Sequence, residues 1–454
     1  MAHALDRHLV LVGFMGAGKT TIGAEVARRL ARPFRDVDRD IESMHGPISE
    51  LFAQQGEAAF REIEGNFVRD ACSHGDPRVV AVGGGAVETQ QLLEELDAFV
   101  VHLDVDVDTA WERVRASTRP LARDEGEFRG RFARRQPLYE QVADTRAHDV
   151  DGVLLAAAGI RFASRNKARG DAVVADARVA GLHSIDATHV VPAGEAAKTV
   201  AEAERLWRAL RLDRSSMLVA VGGGSTTDLA GFVAATYMRG IAWIAVPSTL
   251  VGQVDAAIGG KTGIDLPEGK TLVGAFHWPT ETVIDTTLLQ TLPEEEWANG
   301  LAEVVKTGLL AGEPLWNLDP PEQVRRCAAF KATVCLRDPH EGGERAKLNL
   351  GHTFAHALEA ASGYELPHGK ALGLGLVAAL RLSGLDEQVR MVEAVLRPQP
   401  VDVDRELAWQ ALLRDKKAKE GKPRLVLLEA PGSARIGVEL EPEAVRAALD
   451  ALIE

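Results

Sequence analysis

A glycine-rich segment near the N-terminus has the residue types and spacing needed to hold the phosphates of a nucleotide. It reads Gly13-Phe-Met-Gly-Ala-Gly-Lys-Thr20, matches the pattern GxxxxGK[ST] in full, and lies between an apolar run at 9–12 and an amphipathic run at 21–30. In such a strand–loop–helix, backbone N–H groups and the helix dipole hold an anion. Lys19 then reaches the β- and γ-phosphates, while Thr20 holds Mg²⁺. The predicted ATP-binding residues are Gly13, Gly16, Ala17, Gly18, Lys19, Thr20 and Thr21.

A pair of carboxylates follows this loop in the sequence. Asp36-Val37-Asp38 comes after a short hydrophobic stretch, so alternation along a strand would put both carboxylates on one side. One could hold Mg²⁺ through water while the other takes a proton from a hydroxyl acceptor; a solvated strand end explains the pattern equally well. Arg61 and Arg135 are further candidates, although isolated arginines are usually surface charge.

Histidine spacing in the second half indicates a metal site. His352 and His356 are four residues apart, so both face one way on a helix. His368 opens another helical stretch after Leu-Pro, and Glu303 lies in Ala-Glu-Val-Val-Lys306. Two histidines and one glutamate, with one position left open, form the ligand set of a catalytic zinc. The spacing alone leaves open which two of the three histidines bind the metal.

A second glycine-rich turn, Gly222-Gly-Gly-Ser-Thr-Thr-Asp228, follows a strand-like run and opens a helix. It is not the GxGxxG fingerprint, and a tight turn without a ligand explains it equally well. Asp176 and Gly194-Glu-Ala-Ala-Lys198 end other strands of the same region, where nucleotides bind in open α/β sheets. The segment 263–271 ends in Gly-Lys-Thr, but five residues separate its glycines where a P-loop has four, so we expect no second P-loop.

The elements that position these residues alternate between strand-like and helix-like runs, which predicts parallel sheets covered by helices. The final helix of the first domain is expected at about 152–160, and beyond residue 287 helical periodicity dominates. We therefore expect an α/β protein with a P-loop domain at 1–158, a Rossmann-like lobe at 159–286 and a mainly helical metal-binding lobe at 287–454. The predicted strands are 8–12, 78–82, 98–104, 172–176, 188–192, 217–221, 241–246, 282–285, 424–428 and 434–440.

Composition narrows the classes of function. The 454 residues carry a formal net charge of −14, which argues against a general nucleic-acid binder or a binder of acidic membranes. The three cysteines, Cys72, Cys327 and Cys335, are too few for a disulfide framework and favour a reducing cytoplasm. No apolar run reaches about 18 residues, so we expect no membrane span.

The first part of the chain resembles shikimate kinase over about 7–150. The motifs that carry the resemblance are GFMGAGKTTIG, RDVDRDIE, ISELFAQQGEAAFREIE, VGGGAV, STRPLA and RRQPLY. The resemblance implies that Asp36 supports Mg²⁺ and that Asp38 binds the shikimate hydroxyls and acts as base. It also implies that Arg61 and Arg135 bind the shikimate carboxylate and that Arg119, in a lid, stabilises the transferring phosphoryl group. Gly83, Gly84 and Gly85 would line the shikimate site.

The remainder resembles 3-dehydroquinate synthase over about 170–454, through PAGEAAK, AVGGGSTTDLAGFVAATYMRG, VPSTLVGQVDAAIGGKTGIDLP, GLAEVVKTGLL, LNLGHTFAHALEAASG, LPHGK and RDKK. Such enzymes bind NAD⁺ and Zn²⁺ and convert a seven-carbon sugar phosphate (DAHP) into 3-dehydroquinate. The resemblance implies zinc ligation by Glu303, His352 and His368, with Lys261, Lys306 and His356 as catalytic groups. The implied NAD⁺ site is Asp176, Glu195, Lys198, Gly222, Gly223, Gly224, Asp228 and Lys270. The implied DAHP site is Asp255, Lys261, Lys306, Lys331, Arg345, Asn349, His356, Lys416 and, from a neighbouring subunit, Arg239.

Departures from the 3-dehydroquinate synthase pattern leave alternative functions open. Thr271 stands where the family usually has Asn, and Lys370 follows His368-Gly where Glu is usual. The second half is therefore a dehydroquinate synthase, another sugar-phosphate cyclase, or an NAD/metal alcohol dehydrogenase. The first half is a kinase or a non-catalytic ATP-sensing module, although a sensor has no need of the acceptor residues. The favoured reading is a cytoplasmic two-enzyme fusion that acts on shikimate and DAHP and forms a homodimer through its C-terminal domain.

Overall fold

The computed structural model of the protein describes residues 3–73, 75–115, 124–267, 269–414 and 423–454. The chain divides into two compact units, Met1–Ile160 and Arg161–Glu454. Among the residues described, no helix has the length and apolar character needed to cross a bilayer.

The first unit is built on a five-stranded parallel sheet in the order β2-β3-β1-β4-β5. Its central strands β1 and β4 are buried at every residue, as expected where helices cover both faces of a parallel sheet. The strands are β1 (His8–Val12), β2 (Phe34–Asp36), β3 (Val79–Ala81), β4 (Ala98–Leu103) and β5 (Thr145–Ala147). The helices are α1 (Lys19–Leu30), α2 (Val37–His45), α3 (Ile48–Ala71), α4 (Gln90–Glu94), α5 (Val107–Val114), α6 (Glu125–Val142) and α7 (Val150–Ala157).

The second unit begins with a six-stranded sheet in the order β6-β13-β10-β9-β7-β8, and the strands from β13 to β8 pair in parallel. Its strands are β6 (Ile160–Phe162), β7 (Ala172–Asp176), β8 (His189–Val191), β9 (Met217–Gly222), β10 (Ala242–Pro247) and β13 (Glu281–Ile284). Its helices are α8 (Ala177–His183), α9 (Val200–Ala209) and α10 (Gly224–Thr236). From β7 the chain passes to β8 on one side and returns to β9 on the other, so the strand order reverses beside β7.

An antiparallel hairpin is inserted after β10. It consists of β11 (Lys261–Leu266) and β12 (Gly269–Phe276), and β11 packs against α10. The segment 263–271 therefore belongs to a hairpin and not to a strand–loop–helix, which agrees with the rejection of a second P-loop. The sequence prediction had no strands here, because both strands contain glycine and neither shows a long apolar alternation.

The rest of the unit is mainly helical. Its central helix, α14, is buried at every position from Ala371 to Leu380, so its neighbours must surround it on all sides. The helices are α11 (Glu294–Ala311), α12 (Pro320–Arg337), α13 (His352–Ala361), α14 (His368–Leu382), α15 (Asp386–Leu396), α16 (Arg405–Leu413) and α17 (Pro442–Asp450). A hairpin of β14 (Leu425–Ala430) and β15 (Ser433–Val438) completes the core. The predicted α/β fold class, with two parallel sheets and a helical C-terminal region, is confirmed.

Two candidate active sites

The phosphate loop joins β1 to α1 and is shaped by glycine. Gly13, Gly16 and Gly18 have φ angles of 153°, 88° and 89°, a region that other residues adopt at a cost. A Cβ atom on Gly13 would lie 2.6 Å from the Leu103 carbonyl oxygen, so the loop also approaches β4 too closely for a side chain. The Lys19 ammonium donates to the Gly13 carbonyl at 2.7 Å and therefore extends back across the loop.

Thr20 and Asp36, the two residues expected to hold Mg²⁺, are in contact beside the phosphate loop. The Thr20 hydroxyl donates to Oδ2 of Asp36 at 2.6 Å, although the two residues are sixteen positions apart. Asp36 ends β2 and caps α2, and Asp38 already lies in the first turn of that helix. The expectation that strand alternation puts both carboxylates on one side is therefore wrong, because the strand stops at Asp36.

The glycines after β3 bring the acceptor residues to the phosphate loop. A Cβ atom on Gly83 would lie 2.8 Å from Oδ1 of Asp38, and one on Gly85 would collide with the Arg61 guanidinium. The Tyr139 hydroxyl donates to the Gly84 carbonyl at 2.5 Å and fixes this turn against α6. A side chain at Gly83 or Gly85 would therefore displace one of the two acceptor groups.

Arg61 and Arg135 come from different helices and meet at one carboxylate. Nε of Arg135 donates to Oε1 of Glu88 at 3.0 Å, and Nη2 of Arg61 lies 3.4 Å from Oε2 of the same residue. Arg61 also pairs with Glu64 at 2.6 Å and Glu57 at 3.0 Å. Burial opposes ionisation of Glu88, but the charges of Arg135 and Arg61 outweigh it and lower the pKa of that carboxyl.

Sequence reasoning missed the glutamates of this site and one arginine. Nη1 of Arg113, on α5, donates to the Gly16 carbonyl at 2.9 Å, so α5 also contacts the phosphate loop. Arg119, expected to stabilise the phosphoryl group, lies outside the described residues, as does Lys416 of the second site.

In the second unit, three potential metal ligands converge from three helices. Glu303, His352 and His368 each offer a ligand atom, and these atoms lie within 4.8 Å of one another. Oε1 of Glu303 is 3.0 Å from Nε2 of His368 and 3.5 Å from Nε2 of His352. Two imidazoles and a carboxylate fit a catalytic zinc. His356 is exposed one turn further along α13, with its ring centroid 5.4 Å from that of His352.

The three potential ligands differ in their protonation. Burial opposes ionisation of Glu303, but Lys306 and the two histidines hold the pKa of the carboxyl well below its usual range. Burial and Lys306 lower the pKa of His352, which favours the neutral imidazole that binds metals. Nδ1 of His368 lies 2.8 Å from Oε1 of buried Glu359, which sequence reasoning missed. Burial opposes the charge on His368, but Glu303 and Glu359 raise the pKa of His368 to about 10, so metal binding there must release a proton.

Basic residues adjoin the metal cluster. Lys306 is within 2.5 Å of Oε2 of Glu303 and 3.6 Å of Oδ1 of Asp255. Lys331 pairs with the same Asp255 oxygen at 2.8 Å. Burial opposes ionisation of Asp255, but the two lysines outweigh it and lower the pKa of the carboxyl. The predicted substrate residues Asp255, Lys306 and Lys331 therefore lie together beside the predicted zinc ligands.

A second group of basic residues surrounds the acidic residue Glu341, which sequence reasoning missed. Oε2 of Glu341 pairs with Lys261 at 2.6 Å, and its φ of 58° places it in the left-handed region. Burial opposes ionisation of Glu341, but Lys261, then Arg345 and Asn349, outweigh it and lower the pKa of that carboxyl. Arg345 is itself buried and donates to the Pro339 carbonyl at 3.0 Å. Arg239 is exposed in the turn after α10, and no contact among the described residues joins it to this cluster.

The predicted nucleotide residues lie at the carboxyl edge of the second sheet. Gly222 ends β9, and Gly223 and Gly224 open α10. Asp176 ends the neighbouring strand β7 and caps α8, accepting from the Arg178 amide at 2.8 Å. These positions flank the reversal of strand order, where open α/β sheets bind ligands.

Lys198 connects this edge to the hairpin. Its ammonium lies 3.0 Å from Oδ2 of Asp228 and 3.8 Å from Oε2 of Glu195, and it donates to the Thr271 hydroxyl at 3.2 Å. Lys270 lies 3.8 Å from Oε1 of Glu195. Thr271 has a φ of 50° although it is β-branched, and Lys370 is exposed in the first turn of α14.

Three family models match successive parts of the chain. The model described as shikimate kinase matches residues 15–153. The model for the N-terminal part of 3-dehydroquinate synthase matches 188–299, and that for its C-terminal part matches 300–418.

Individual proteins show the same similarity. A 3-dehydroquinate synthase from Symbiobacterium thermophilum is 41% identical, with 62% of this chain and 87% of that protein covered. A 3-dehydroquinate synthase from Gloeobacter violaceus is 44% identical, with 62% of this chain and 86% of that protein covered. A solved structure of 2-epi-5-epi-valiolone synthase from Streptomyces hygroscopicus subsp. jinggangensis, with NAD⁺ and Zn²⁺ bound, has a TM-score of 0.57 and 26% identity, with 64% of this chain and 95% of that chain covered.

Proposed function

The chain belongs to the 3-dehydroquinate synthase family and carries a shikimate kinase domain ahead of the synthase domains. From this membership we propose which residues carry the kinase and the synthase reactions. It is a bifunctional enzyme of the shikimate pathway: it phosphorylates shikimate with ATP and converts DAHP into 3-dehydroquinate with release of phosphate. Both resemblances predicted from the sequence are thereby confirmed.

In the kinase domain, Lys19 and the loop amides would hold the β- and γ-phosphates of ATP. The contact of Thr20 with Asp36 supports these two residues as the Mg²⁺ site. Asp38, beside Gly83, would accept the proton of the acceptor hydroxyl, and Arg61 and Arg135 would bind the shikimate carboxylate. Arg119 would stabilise the transferring phosphoryl group.

In the synthase domains, Glu303, His352 and His368 would hold zinc. When bound, zinc would acidify the substrate hydroxyl, and NAD⁺ would take up the hydride from the carbon that bears this hydroxyl. Lys306 and Lys331 carry buried positive charge next to these ligands, which suits an anionic substrate. Lys261, Arg345, Asn349 and His356 would complete the DAHP site, with Lys416 and, from a neighbouring subunit, Arg239.

The nucleotide would lie across the reversal of strand order. Gly222, Gly223 and Gly224 would approach the pyrophosphate, because this turn opens α10 and leaves its first amides available to an anion. Lys198, Glu195 and Asp228 form one contact group there, which supports their joint assignment to NAD⁺. Asp176 and Lys270 complete the proposed set.

We further propose a kinase domain at 1–158, an NAD-binding lobe at 159–286 and a helical zinc and substrate lobe at 287–454. The protein would act in the cytoplasm as a homodimer through its C-terminal domain, without nucleic-acid or membrane partners. The homodimer would bring Arg239 of one subunit to the DAHP phosphate of the other.

The observation that carries the assignment is the convergence of Glu303, His352 and His368 next to Lys306, Lys331 and Asp255. The same chain also carries a complete phosphate loop. Purified protein is tested for phosphate release from DAHP with NAD⁺ and, separately, for ATP-dependent phosphorylation of shikimate. The variant Lys19→Ala should lose the second activity, because the phosphate clamp is gone, and keep the first. Retention of kinase activity in Lys19→Ala would refute the assignment of the phosphate loop.

A further inference from the structure

Glu88 links the two arginines proposed to bind the acceptor carboxylate. One of its oxygens accepts from Nε of Arg135 at 3.0 Å, and the other lies 3.4 Å from Nη2 of Arg61. This is the arrangement by which a substrate carboxylate would join the two guanidinium groups. The residue ends the short helical turn Ala86–Glu88 that directly follows Gly83–Gly85, so its backbone is placed by the same glycines that line the site.

Arg61 already has several acidic partners. Its guanidinium meets the carboxyl groups of Glu57, Glu64 and Glu88, so a further carboxylate would have to share or displace one of these contacts. Glu88 shares its charge with Arg135 and lies within electrostatic reach of Arg131. An incoming carboxylate therefore meets a cluster whose positive charge is largely used.

The three glutamates differ in their freedom to move. The Glu64 side chain is 2% exposed and is held in place by burial. Glu57 is 58% exposed but contacts Arg61 and not Arg135 among the ion pairs described. Glu88, at 40% exposed, both contacts the two arginines and has solvent to turn into. It is the one of the three that contacts both guanidinium groups, so its movement would remove one carboxylate contact from each of them.

We propose that Glu88 is a specificity-determining residue of the kinase site: its carboxylate competes with that of the acceptor for Arg61 and Arg135 and turns outward when the acceptor binds. It therefore weakens binding of shikimate and leaves ATP binding unaffected. The inference rests on the proposed role of Arg61 and Arg135 as the carboxylate clamp.

The test compares Glu88→Gln, which keeps the shape but removes the charge, with the matched control Glu57→Gln. Glu88→Gln should lower the KM for shikimate by about three- to tenfold, the effect expected for removing a close like charge at a partly exposed site. Its KM for ATP should stay within about twofold, and Glu57→Gln should change the KM for shikimate less. The methyl ester of shikimate lacks the negative charge, so its KM should be the same for Glu88→Gln and the parent enzyme.

The sign of the change decides the outcome. A higher KM for shikimate in Glu88→Gln would mean that Glu88 holds the arginines in place and does not compete, and an unchanged KM would also overturn the proposal. Failure of the clamp itself is recognised separately. If Arg135→Ala leaves the KM for shikimate unchanged, the assignment of Arg135 to the shikimate carboxylate is wrong. If the assignment is right, Arg135→Ala should raise this KM strongly. In the double variant Arg135→Ala/Glu88→Gln, the effect of Glu88→Gln on the KM should then be lost.

Discussion

At the scale of single residues, Glu359 shows how a side chain outside the metal site can decide its affinity. Its carboxylate lies 2.8 Å from Nδ1 of His368, whose other nitrogen faces Glu303. A carboxylate in this position fixes the orientation of the imidazole and makes it a better ligand.

We predict that Glu359→Gln weakens zinc binding by about 10- to 100-fold, because the amide leaves the ring less basic and less firmly oriented. The dissociation constant is measured by competition with a chelator, so the result does not depend on activity. Glu365→Gln, an exposed change in the turn before α14, is the control and should bind zinc like the parent protein. Equal affinity in the two variants would exclude an orienting role for Glu359.

Residues that belong to a local motif could be predicted from the sequence, and residues that act through distant partners could not. Lys19 stands in a short motif whose spacing states its chemistry, and the histidine spacing indicated a metal site, although it left open which two of His352, His356 and His368 bind the ion. Glu88 acquires its significance only from Arg135, forty-seven positions away. Glu359 did leave a signal, since it follows His352 by seven residues and so lies on the same face of α13.

At the scale of elements, the zinc ligands are brought together by helices that approach at glycine. A Cβ atom on Gly375 of α14 would collide with the Gly351 carbonyl, directly before His352 begins α13. A Cβ atom on Gly369 would collide with Asn299 of α11, next to His368. These two contacts set the distance between the helices that carry the ligands.

We therefore predict that Gly375→Ala destabilises the synthase unit by about 1–3 kcal/mol, since the helices must separate to admit the methyl group. Zinc affinity should fall together with stability, because His352 moves with α13. Gly373→Ala is the matched control on the same helix, where the added Cβ would meet Leu396 at 3.5 Å, an ordinary contact. Thermal unfolding and zinc titration of both variants test this, and similar behaviour of the two would contradict it.

Strand prediction succeeded where burial dominates, and among short or exposed strands it found β3, β8 and β15 but missed β2, β5, β6 and β12. The runs at β1, β4, β7 and β9 are nearly continuous in apolar residues, as parallel strands covered on both faces must be. By contrast β2 has three residues, and β12 is largely exposed and contains glycine. The error at Asp36 and Asp38 has this origin, because alternation cannot be read from a strand that ends after three residues.

At the scale of the whole molecule, the two sites belong to separate compact units. The phosphate loop and its partners lie within Met1–Ile160, and the metal and basic clusters lie within Arg161–Glu454. The two reactions also need different ions: a hard Mg²⁺ held by oxygen atoms, and a zinc held by imidazole nitrogen and carboxylate. Each activity should therefore be removable without the other.

Zinc removal should stop DAHP cyclisation while shikimate phosphorylation continues, provided that excess Mg²⁺ is supplied with the chelator. Restored Zn²⁺ should recover the first reaction. His352→Ala should behave like permanent chelation, because loss of one ligand in three strongly weakens a catalytic zinc site. His356→Ala should keep the metal and lose rate, because its exposed ring is assigned to the substrate. Metal analysis separates the two histidines: zinc retained in His352→Ala and lost in His356→Ala would show that the other member of the pair binds the ion.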